Sequence, residues 1–177
     1  SNLNLVNRLN KKKKYCAGII KKNKYNLNEI FIKKTYHLND RFDVKNFDII
    51  VSCVGIDNCY KNYKYYKDAK YLISCENDIS TVTKLKKITR NKNVFFGIPD
   101  VITSNTAPKR VLKKDDLTVI SEDGVLVLEK FIYALPKEIE FVSKKDLKKH
   151  WICKLYIHNA PHAIAAYLGY LKKLKFI

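Results

Sequence analysis

A continuous apolar run is the feature that most constrains the fold of this chain. Residues 47–55 are largely apolar and β-branched, and the run ends in Gly55. A helical stretch follows over 59–70, and a second short apolar run spans 71–75. A short, continuously apolar run is typical of a parallel strand that is buried on both faces. Strand, helix and strand in this order predict a crossover unit of a doubly wound α/β sheet.

Shorter segments on either side extend this α/β pattern. Helices are predicted over 3–9, 81–88 and 143–157, strands over 15–20, 29–36 and 94–97, and an antiparallel hairpin over 117–120 and 125–128. The last helix follows Ser143, a favourable N-cap. The predicted class is therefore α/β, with a Rossmann-like doubly wound sheet in residues 1–142. The first helices of an all-helical C-terminal domain are expected in residues 143–177.

Polar residues follow the two apolar strands where the chain leaves the sheet. Gly55 ends the first strand, and Cys75, Glu76 and Asn77 end the second. Ligands of open α/β sheets bind beyond the carboxyl ends of the strands, so Gly55, Cys75 and Asn77 are candidate cofactor contacts. Gly55 fits a simple turn as well as a close approach to a ligand. Asn77 fits a cap for the next helix as well as a catalytic hydrogen bond.

A second group of polar side chains lies in residues 154–162. Lys154 supplies an amine, Asn159 a carboxamide and His162 an imidazole, next to several small residues. A lysine whose pKa is lowered by burial can exchange a proton with a substrate. An amide can hydrogen-bond a carbonyl or alkoxide oxygen, and an imidazole can hold a substrate hydroxyl. These roles suit the interconversion of an alcohol and a ketone.

Pro161 decides how these groups are expected to converge. On an unbroken helix Lys154 and His162 share one face, whereas Asn159 points away from Lys154. Proline removes a backbone donor and clashes with the preceding turn. We therefore predict that one helix ends near Ile157 and that Asn159 caps the next one. Such a break would bring Lys154, Asn159 and His162 together.

The spacing of these residues resembles the signature of a known family. Lys154, Asn159 and His162, followed by Ala-Ile-x-Ala-Tyr-Leu-Gly at 163–169, are similar to the polyol-specific long-chain dehydrogenase/reductase family, and within it to the mannitol-1-phosphate 5-dehydrogenase branch. Further patches of resemblance lie at 9–10 with Tyr15, at 48–55, at 75–77 with 83–86, and at 134–136. The resemblance implies a metal-independent, NAD-dependent oxidoreductase of mannitol metabolism that interconverts mannitol 1-phosphate and fructose 6-phosphate. It implies that Lys154 is the general acid/base and that His162 binds substrate. Asn77 and Asn159 would polarise the substrate oxygen.

Three features depart from this family. Pro161 stands where the family has glycine, and Val101 follows Asp100 where the family has arginine. No Gly-x-Gly-x-x-Gly turn with an acidic residue about twenty positions later is present. The isolated chain is therefore predicted to bind NAD weakly or not at all and to lack turnover. We interpret the chain as incomplete at both ends, and without that acidic residue NAD and NADP are not distinguished.

The strongly basic composition raises a different class of partner. Thirty-five basic and 17 acidic residues give a formal charge of +18, as in many nucleic-acid-binding proteins. The lysines are spread in pairs and short runs, which favours a solvated surface whose field attracts sugar phosphates and dinucleotides. Two alternatives remain open. One is a related dehydrogenase of mannitol or of a hexuronate such as fructuronate or tagaturonate, and the other is a non-catalytic basic fragment that binds nucleic acid or another partner.

Simple patterns disfavour several other classes of protein. No apolar run approaches the about 20 residues that span a membrane, and the N-terminus lacks the apolar core of a signal peptide, so a cytoplasmic protein is expected. The five cysteines fit neither an even disulfide framework nor a zinc spacing. His158 and His162 are four residues apart without a third or fourth ligand nearby, so no metal site is expected.

Overall fold

The computed structural model describes residues 2–21, 24–37, 39–99, 103–104, 112, 115–130 and 139–174. The chain divides into two compact units. The first unit contains residues 1–43 and 101–124, and the second contains residues 44–100 and 125–177. Asp100 and Val101, the site of one departure from the family, lie outside the described residues.

The elements are named in chain order. The helices are α1 (Leu3–Lys12), α2 (Ile56–Lys61), α3 (Ser80–Thr89), α4 (Lys144–Cys153) and α5 (Ala160–Leu171). The strands are β1 (Lys14–Lys21), β2 (Lys24–Phe31), β3 (Ile49–Ser52), β4 (Tyr71–Ser74), β5 (Val94–Pro99), β6 (Thr103–Ser104), β7 (Val119–Glu122), β8 (Leu126–Glu129) and β9 (Ile139–Val142). Single 3-10 turns occupy Val44–Asn46 and Tyr63–Tyr65. A π-helical segment, Lys154–Asn159, joins α4 to α5.

The first unit contains a four-stranded sheet in the order β2-β1-β7-β6. Strand β1 pairs antiparallel with β2 and parallel with β7. The second strand was predicted over 29–36 after a polar turn, but β2 begins at Lys24 and ends at Phe31. Pairing with β1 explains this difference. Asn26 and Asn28 lie opposite Ile19 and Ala17, so backbone hydrogen bonds hold a polar segment that its side chains alone do not mark as a strand.

The second unit contains a five-stranded sheet in the order β3-β4-β5-β8-β9. Strands β3, β4 and β5 are parallel neighbours, as the strand–helix–strand pattern predicts. Strand β8 pairs antiparallel with β5 and parallel with β9. The predicted hairpin of 117–120 with 125–128 is therefore wrong. Strand β7 instead pairs with β1 and β6 in the sheet of the first unit, and β8 pairs with β5 and β9 in the sheet of the second.

Helices cover one face of the five-stranded sheet. Cys59 of α2 and Leu85 of α3 are buried against Leu72 and Val94 of the sheet. Further along the same face, Leu147 of α4 packs with Phe96, Ile98 and Val127. Leu147 is 1% exposed. Burying a leucine side chain contributes about 1.5–3 kcal/mol, so this contact fixes α4, the helix that leads into Lys154, on the sheet.

On the opposite face of the same sheet, the core formed by the described residues comes from the strands and from the residue directly after β4. Ile73 and Leu128 are buried there among half-buried neighbours, which are Ile49, Tyr71, Cys75, Phe95, Leu126, Ile139 and Phe141. Strand β3 lies at the edge of the sheet, and its Val51 is 50% exposed. The prediction that this strand is buried on both faces is therefore wrong for β3. It holds for β4, where Leu72 and Ile73 point to opposite faces and are both buried.

The C-terminal helices begin as predicted and continue differently. Ser143 caps α4, since its hydroxyl accepts the Asp146 N–H at 3.2 Å. Helix α5 exposes most of its large apolar side chains. Each of these is more than half exposed: Ile164, Tyr167, Leu168, Tyr170 and Leu171. No helix among the described residues combines the length and apolarity that crossing a membrane requires.

Candidate functional site

A buried carboxylate organises the edge of the sheet where β3 and β4 end. Glu76 is 7% exposed, and its carboxylate accepts the backbone N–H groups of Val54 and Gly55, each at 3.0 Å. It also accepts the Ser52 hydroxyl at 3.2 Å. Sequence reasoning named Glu76 only as one of the residues after the strand. The available signal was its charge next to a buried strand, because a buried carboxylate needs several donors.

Gly55 adopts a backbone conformation that favours glycine. Its φ is +85°, in the region that side chains with a Cβ rarely adopt. This geometry agrees with the turn interpretation. A Cβ at Gly55 would meet no atom within 4 Å, so the loop also leaves open space on that side. The structure is therefore compatible with both interpretations that the sequence left open.

Cys75 and Asn77 flank Glu76 and face different surroundings. The Cys75 sulfur lies 3.0 Å from where a Cβ would stand on Gly97, so it packs on the strand-only face of the sheet. The Asn77 side chain is exposed, while its backbone carbonyl accepts the Trp151 indole N–H at 2.9 Å. Sequence reasoning missed Trp151, although it lies three residues before Lys154, a spacing that places two residues on one helix face.

Asp78, and not Asn77, stabilises the start of α3. Its carboxylate accepts the Ser80 hydroxyl at 2.6 Å and the Ser80 N–H at 2.8 Å. These hydrogen bonds lower the pKa of Asp78 below its ordinary value, and the bond from the Ser80 hydroxyl has the larger effect. The Ser80 N–H at the start of α3 is therefore bonded to Asp78, and Asn77 lines the neighbouring cavity.

Lys154 links the C-terminal helices to the end of β5. It is the first residue of the π-helical segment, it is half-buried, and its ammonium group donates a hydrogen bond to the backbone carbonyl of Pro99. Pro99 is the last residue of β5. The amine of Lys154 is therefore held at the same edge of the sheet as Glu76 and Asn77.

The helix does not break at Pro161, contrary to the prediction. Asn159 has α-helical angles, φ −72° and ψ −40°, and its side chain caps nothing. The helix instead contains one wider, π-helical turn, in which the Ala160 N–H donates a hydrogen bond to the Leu155 carbonyl five residues earlier. Proline clashes with the carbonyl four residues before it, and the wider turn relieves that clash. A π turn thus replaces the predicted break.

The π turn brings Asn159 to the side of Lys154. A ring closed by an i→i+5 bond rotates less per residue than an α-helix, so both i+4 and i+5 lie close to i. Accordingly, Lys154 and Asn159 line one cavity with Asn77 and Trp151, and Lys154 and His158 line a second one. Such π segments occur frequently at functional sites.

The two cavities at Lys154 are small and open. The one that contains Asn77 and Asn159 has a volume of about 10 Å³, and the one that contains His158 has about 130 Å³. His150 and Cys153 also line the second cavity. Typical ligand pockets have about 300 Å³ or more, so a ligand at Lys154 would extend over the open surface between them. His162 is exposed and lines neither cavity, so its convergence with Lys154 and Asn159 is not observed.

A larger cavity lies in the first unit and contains no predicted site residue. It has about 410 Å³ and is almost entirely apolar, with Leu5, Leu9, Ile32, Leu117 and Val119 among its lining residues. Of its described lining residues, only Tyr15 and Ser121 are polar. We attach the candidate site to Lys154, because an amine and two carboxamides meet there and proton-transfer chemistry needs such groups. Among the residues that the structure describes, no group of three or more His, Cys, Asp or Glu side chains could hold a metal ion.

The fold of this chain resembles that of a solved reductase. It is the probable 2-dehydropantoate 2-reductase of Bacillus subtilis, with a TM-score of 0.50 at 10% identity. The similarity covers 81% of this chain and 49% of that one. At this identity the likeness concerns the fold alone, and it confirms the predicted Rossmann-like α/β class.

Curated relatives cover nearly the whole chain, whereas no family model matches it. Mannitol-1-phosphate 5-dehydrogenase of Buchnera aphidicola (subspecies Schizaphis graminum) is 27% identical over 98% of this chain and 52% of that protein. Enzymes of the same name from Mycoplasma pneumoniae and Thermoanaerobacter pseudethanolicus are 27% and 28% identical, over 99% and 98% of this chain. The chain spans about half the length of these relatives. The resemblance expected from the sequence is thereby confirmed: the chain is a relative of the mannitol-1-phosphate 5-dehydrogenases.

Proposed function

We propose that this chain forms part of the catalytic site of an NAD-dependent oxidoreductase that interconverts mannitol 1-phosphate and fructose 6-phosphate. One observation carries the proposal: the amine of Lys154 and the carboxamides of Asn77 and Asn159 line one cavity. These groups are suited to proton transfer and to polarisation of an oxygen atom. The shared name of the relatives favours this substrate pair over free mannitol or a hexuronate.

The proton-transfer step is assigned to Lys154. In the oxidative direction its neutral amine accepts the proton of the substrate hydroxyl, and in the reductive direction its ammonium group returns that proton to the new alkoxide. The hydrogen bond to the Pro99 carbonyl holds the nitrogen in place at the end of β5. A substrate hydroxyl bound in this cavity would lie next to that nitrogen, so that binding itself would position the proton donor and acceptor for transfer.

The carboxamides of Asn77 and Asn159 are assigned to the reacting oxygen. Each can donate an N–H to an oxygen that gains negative charge as hydride moves, and such donors act most strongly in the transition state. His162 is assigned to the remainder of the substrate, since it is exposed on the first turn of α5. The high positive charge of the chain would draw a sugar phosphate toward this surface.

The nicotinamide end of the cofactor fits the edge formed by Gly55, Cys75 and Asn77. Open space beside Gly55, where a side chain would project, supports this assignment. When bound, the nicotinamide ring exchanges a hydride with the carbinol carbon. The given sequence contains no Gly-x-Gly-x-x-Gly motif, so the chain by itself should give no saturable binding of NADH. Residues 1–142 are proposed as the cofactor-domain part and 143–177 as the start of the substrate domain.

The single tryptophan offers a direct test of substrate binding. Trp151 is the only tryptophan of the chain and lines the cavity with Lys154, Asn77 and Asn159. Titration with fructose 6-phosphate is expected to change its fluorescence in a saturable way, with little response to fructose. Lys154→Ala should weaken this response, whereas Lys148→Ala, an exposed lysine of α4, should leave it unchanged. An equal response of both variants, or none in the unaltered chain, would contradict the proposal.

The same variants separate the enzyme from a basic nucleic-acid-binding fragment. Binding to duplex DNA that falls steeply with salt, and is equally strong after Lys154→Ala, would favour the second function. In a protein that carries both the phosphate turn and this site, Lys154→Ala should abolish turnover of NADH with fructose 6-phosphate and leave cofactor binding intact. Loss of cofactor binding in that variant would assign Lys154 to the cofactor instead.

A further inference from the structure

Two cysteines occupy matching positions on neighbouring parallel strands. Ser52 and Ser74 form the last register pair of β3 and β4, and Cys53 and Cys75 directly follow them. The ladder continues beyond this pair, since the Cys75 N–H donates to the Ser52 carbonyl at 2.9 Å. Neighbouring strands lie about 4.8 Å apart, within the Cα separation of about 4.4–6.8 Å that disulfides bridge.

The two side chains also share one face of the sheet, because residues at matching positions of neighbouring parallel strands point to the same side. Cys53 is exposed and Cys75 is half-buried. Of the remaining cysteines near β3 and β4, Cys59 is buried on the helix-covered face, where its sulfur lies 3.2 Å from the Ser52 hydroxyl oxygen. The exposed sulfur of this pair therefore has one neighbouring thiol with which it can react.

The two thiols are chemically unequal. Hydrogen bonding to Cys75 lowers the pKa of Cys53 from 9.0 to about 7, so a large fraction of this exposed group is thiolate at neutral pH. The pKa of Cys75 is raised, first by the same hydrogen bond and then by burial. An accessible thiolate next to a protonated thiol is the arrangement of an attacking and a resolving cysteine.

We propose that Cys53 and Cys75 form a redox site in which a hydroperoxide converts the two thiols reversibly into a disulfide. The Cys53 thiolate attacks one oxygen of hydrogen peroxide, so that an S–O bond forms, the O–O bond breaks, and hydroxide leaves to become water. Cys75 then attacks the sulfur of the sulfenic acid. The S–S bond forms, the S–O bond breaks, and the leaving hydroxide takes the Cys75 proton as a second water. Two thiols are oxidised while one peroxide is reduced to two waters.

This disulfide would join the two backbone segments that Glu76 already connects. Cys53 precedes Val54 and Cys75 precedes Glu76, whose carboxylate accepts the N–H of Val54. Oxidation would thus fix the loop at the candidate cofactor edge covalently. The inference itself needs no turnover, since it concerns thiols alone, and its test is independent of the proposed dehydrogenase activity.

The test is peptide mapping of the purified chain after stoichiometric hydrogen peroxide. Trypsin cleavage after lysine separates Cys53 in peptide 46–61 from Cys75 in peptide 71–84. We expect a cross-link between these peptides, assigned to Cys53 by fragmentation because Cys59 shares its peptide. Two of the five thiols should disappear, and dithiothreitol should restore both. Cys153→Ser, which removes an exposed cysteine outside the pair, should keep the cross-link, and Cys53→Ser should lose it.

The rate of modification gives a second criterion that does not depend on the cross-link. At pH 7 the lower pKa increases the thiolate fraction of Cys53 about fiftyfold, and the weaker nucleophilicity of a more acidic thiolate reduces this gain about tenfold. Cys53 should therefore be alkylated about fivefold faster in the unaltered chain than in Cys75→Ala. Equal rates in the two proteins, oxidation of Cys153 before Cys53, or a cross-link through Cys59 would each overturn the proposal.

Discussion

Replacement of Glu76 by alanine should release the loop at the edge of the sheet without unfolding the sheet itself. The carboxylate accepts hydrogen bonds from the N–H groups of Val54 and Gly55. Hydrogen bonds to a charged group contribute about 1.5–3 kcal/mol. Both residues are exposed, so water can replace the lost acceptor, and the lower value applies to each amide. A change of about 1.4 kcal/mol is a factor of ten, so each amide should exchange with solvent about ten times faster.

Amide hydrogen exchange measured by NMR distinguishes this local effect from a general loss of stability. The amides of Leu72 and Val94 in the core should keep their rates within about twofold, because Glu76 does not contact them. Glu140→Ala, which removes an exposed carboxylate from β9, is the matched control and should change no amide near β3. Glu76→Gln retains one acceptor and should accelerate exchange less than alanine does. If Val54 and Gly55 exchange at unchanged rates, or all amides accelerate equally, the reasoning fails.

The remaining predictions concern helix ends and the π turn. Pro161→Ala restores a backbone N–H and removes the ring, so the π-helical segment should return to an α-helix. Asn159 should then turn away from Lys154, which NMR distances between the two residues would reveal. An unchanged position of Asn159 would exclude proline as the cause of the π turn. Ser143→Ala should destabilise α4 by about 1 kcal/mol in urea denaturation, and Ser143→Asp should cost much less, whereas equal losses would argue against capping. The pKa of Asp78 is lowered in the folded chain, so its stabilisation of α3 is present above the unfolded-state pKa of about 3.9 and is lost as pH falls through the lower folded-state value. Circular dichroism should show a loss of helicity in the unaltered chain as the pH falls through the folded-state pKa of Asp78. Asp78→Asn should show no such loss.

The elements that could be predicted from the sequence are those whose pattern is local. The apolar runs at β3 and β4 and the Ser143 cap have direct physical signatures, and the structure contains all three. The hairpin over 117–128 failed because turn residues mark a change of direction but not the partner of each strand. The start of β2 failed for a similar reason, since pairing with β1 outweighed its polar side chains.

The candidate site was predictable as a set of residues and less so as an arrangement. Lys154, Asn159 and Asn77 do line one cavity. The π turn that brings Lys154 and Asn159 together arises because a continuous helix relieves the clash with Pro161, and a proline in the sequence does not reveal whether a helix will continue or break. The roles assigned to them, and to His162 and Gly55, stay predictions. The charge of Glu76 beside a buried strand was a signal, but its hydrogen-bond partners and the contact of Lys154 with the Pro99 carbonyl depend on how three strands end at one edge.

The exposed apolar side of α5 has a consequence for handling the protein in solution. Ile164, Tyr167 and Leu171 are exposed to water, and such an apolar surface favours association between molecules of this chain. Electrostatic repulsion between molecules that each carry a formal charge of +18 opposes this association. Charges are screened beyond about 10 Å at 0.1 M salt and beyond about 3 Å at 1 M salt. Concentrated salt, which often keeps basic proteins in solution, should therefore drive this chain toward association. Dilute buffers well below its isoelectric point are the conditions in which single molecules persist.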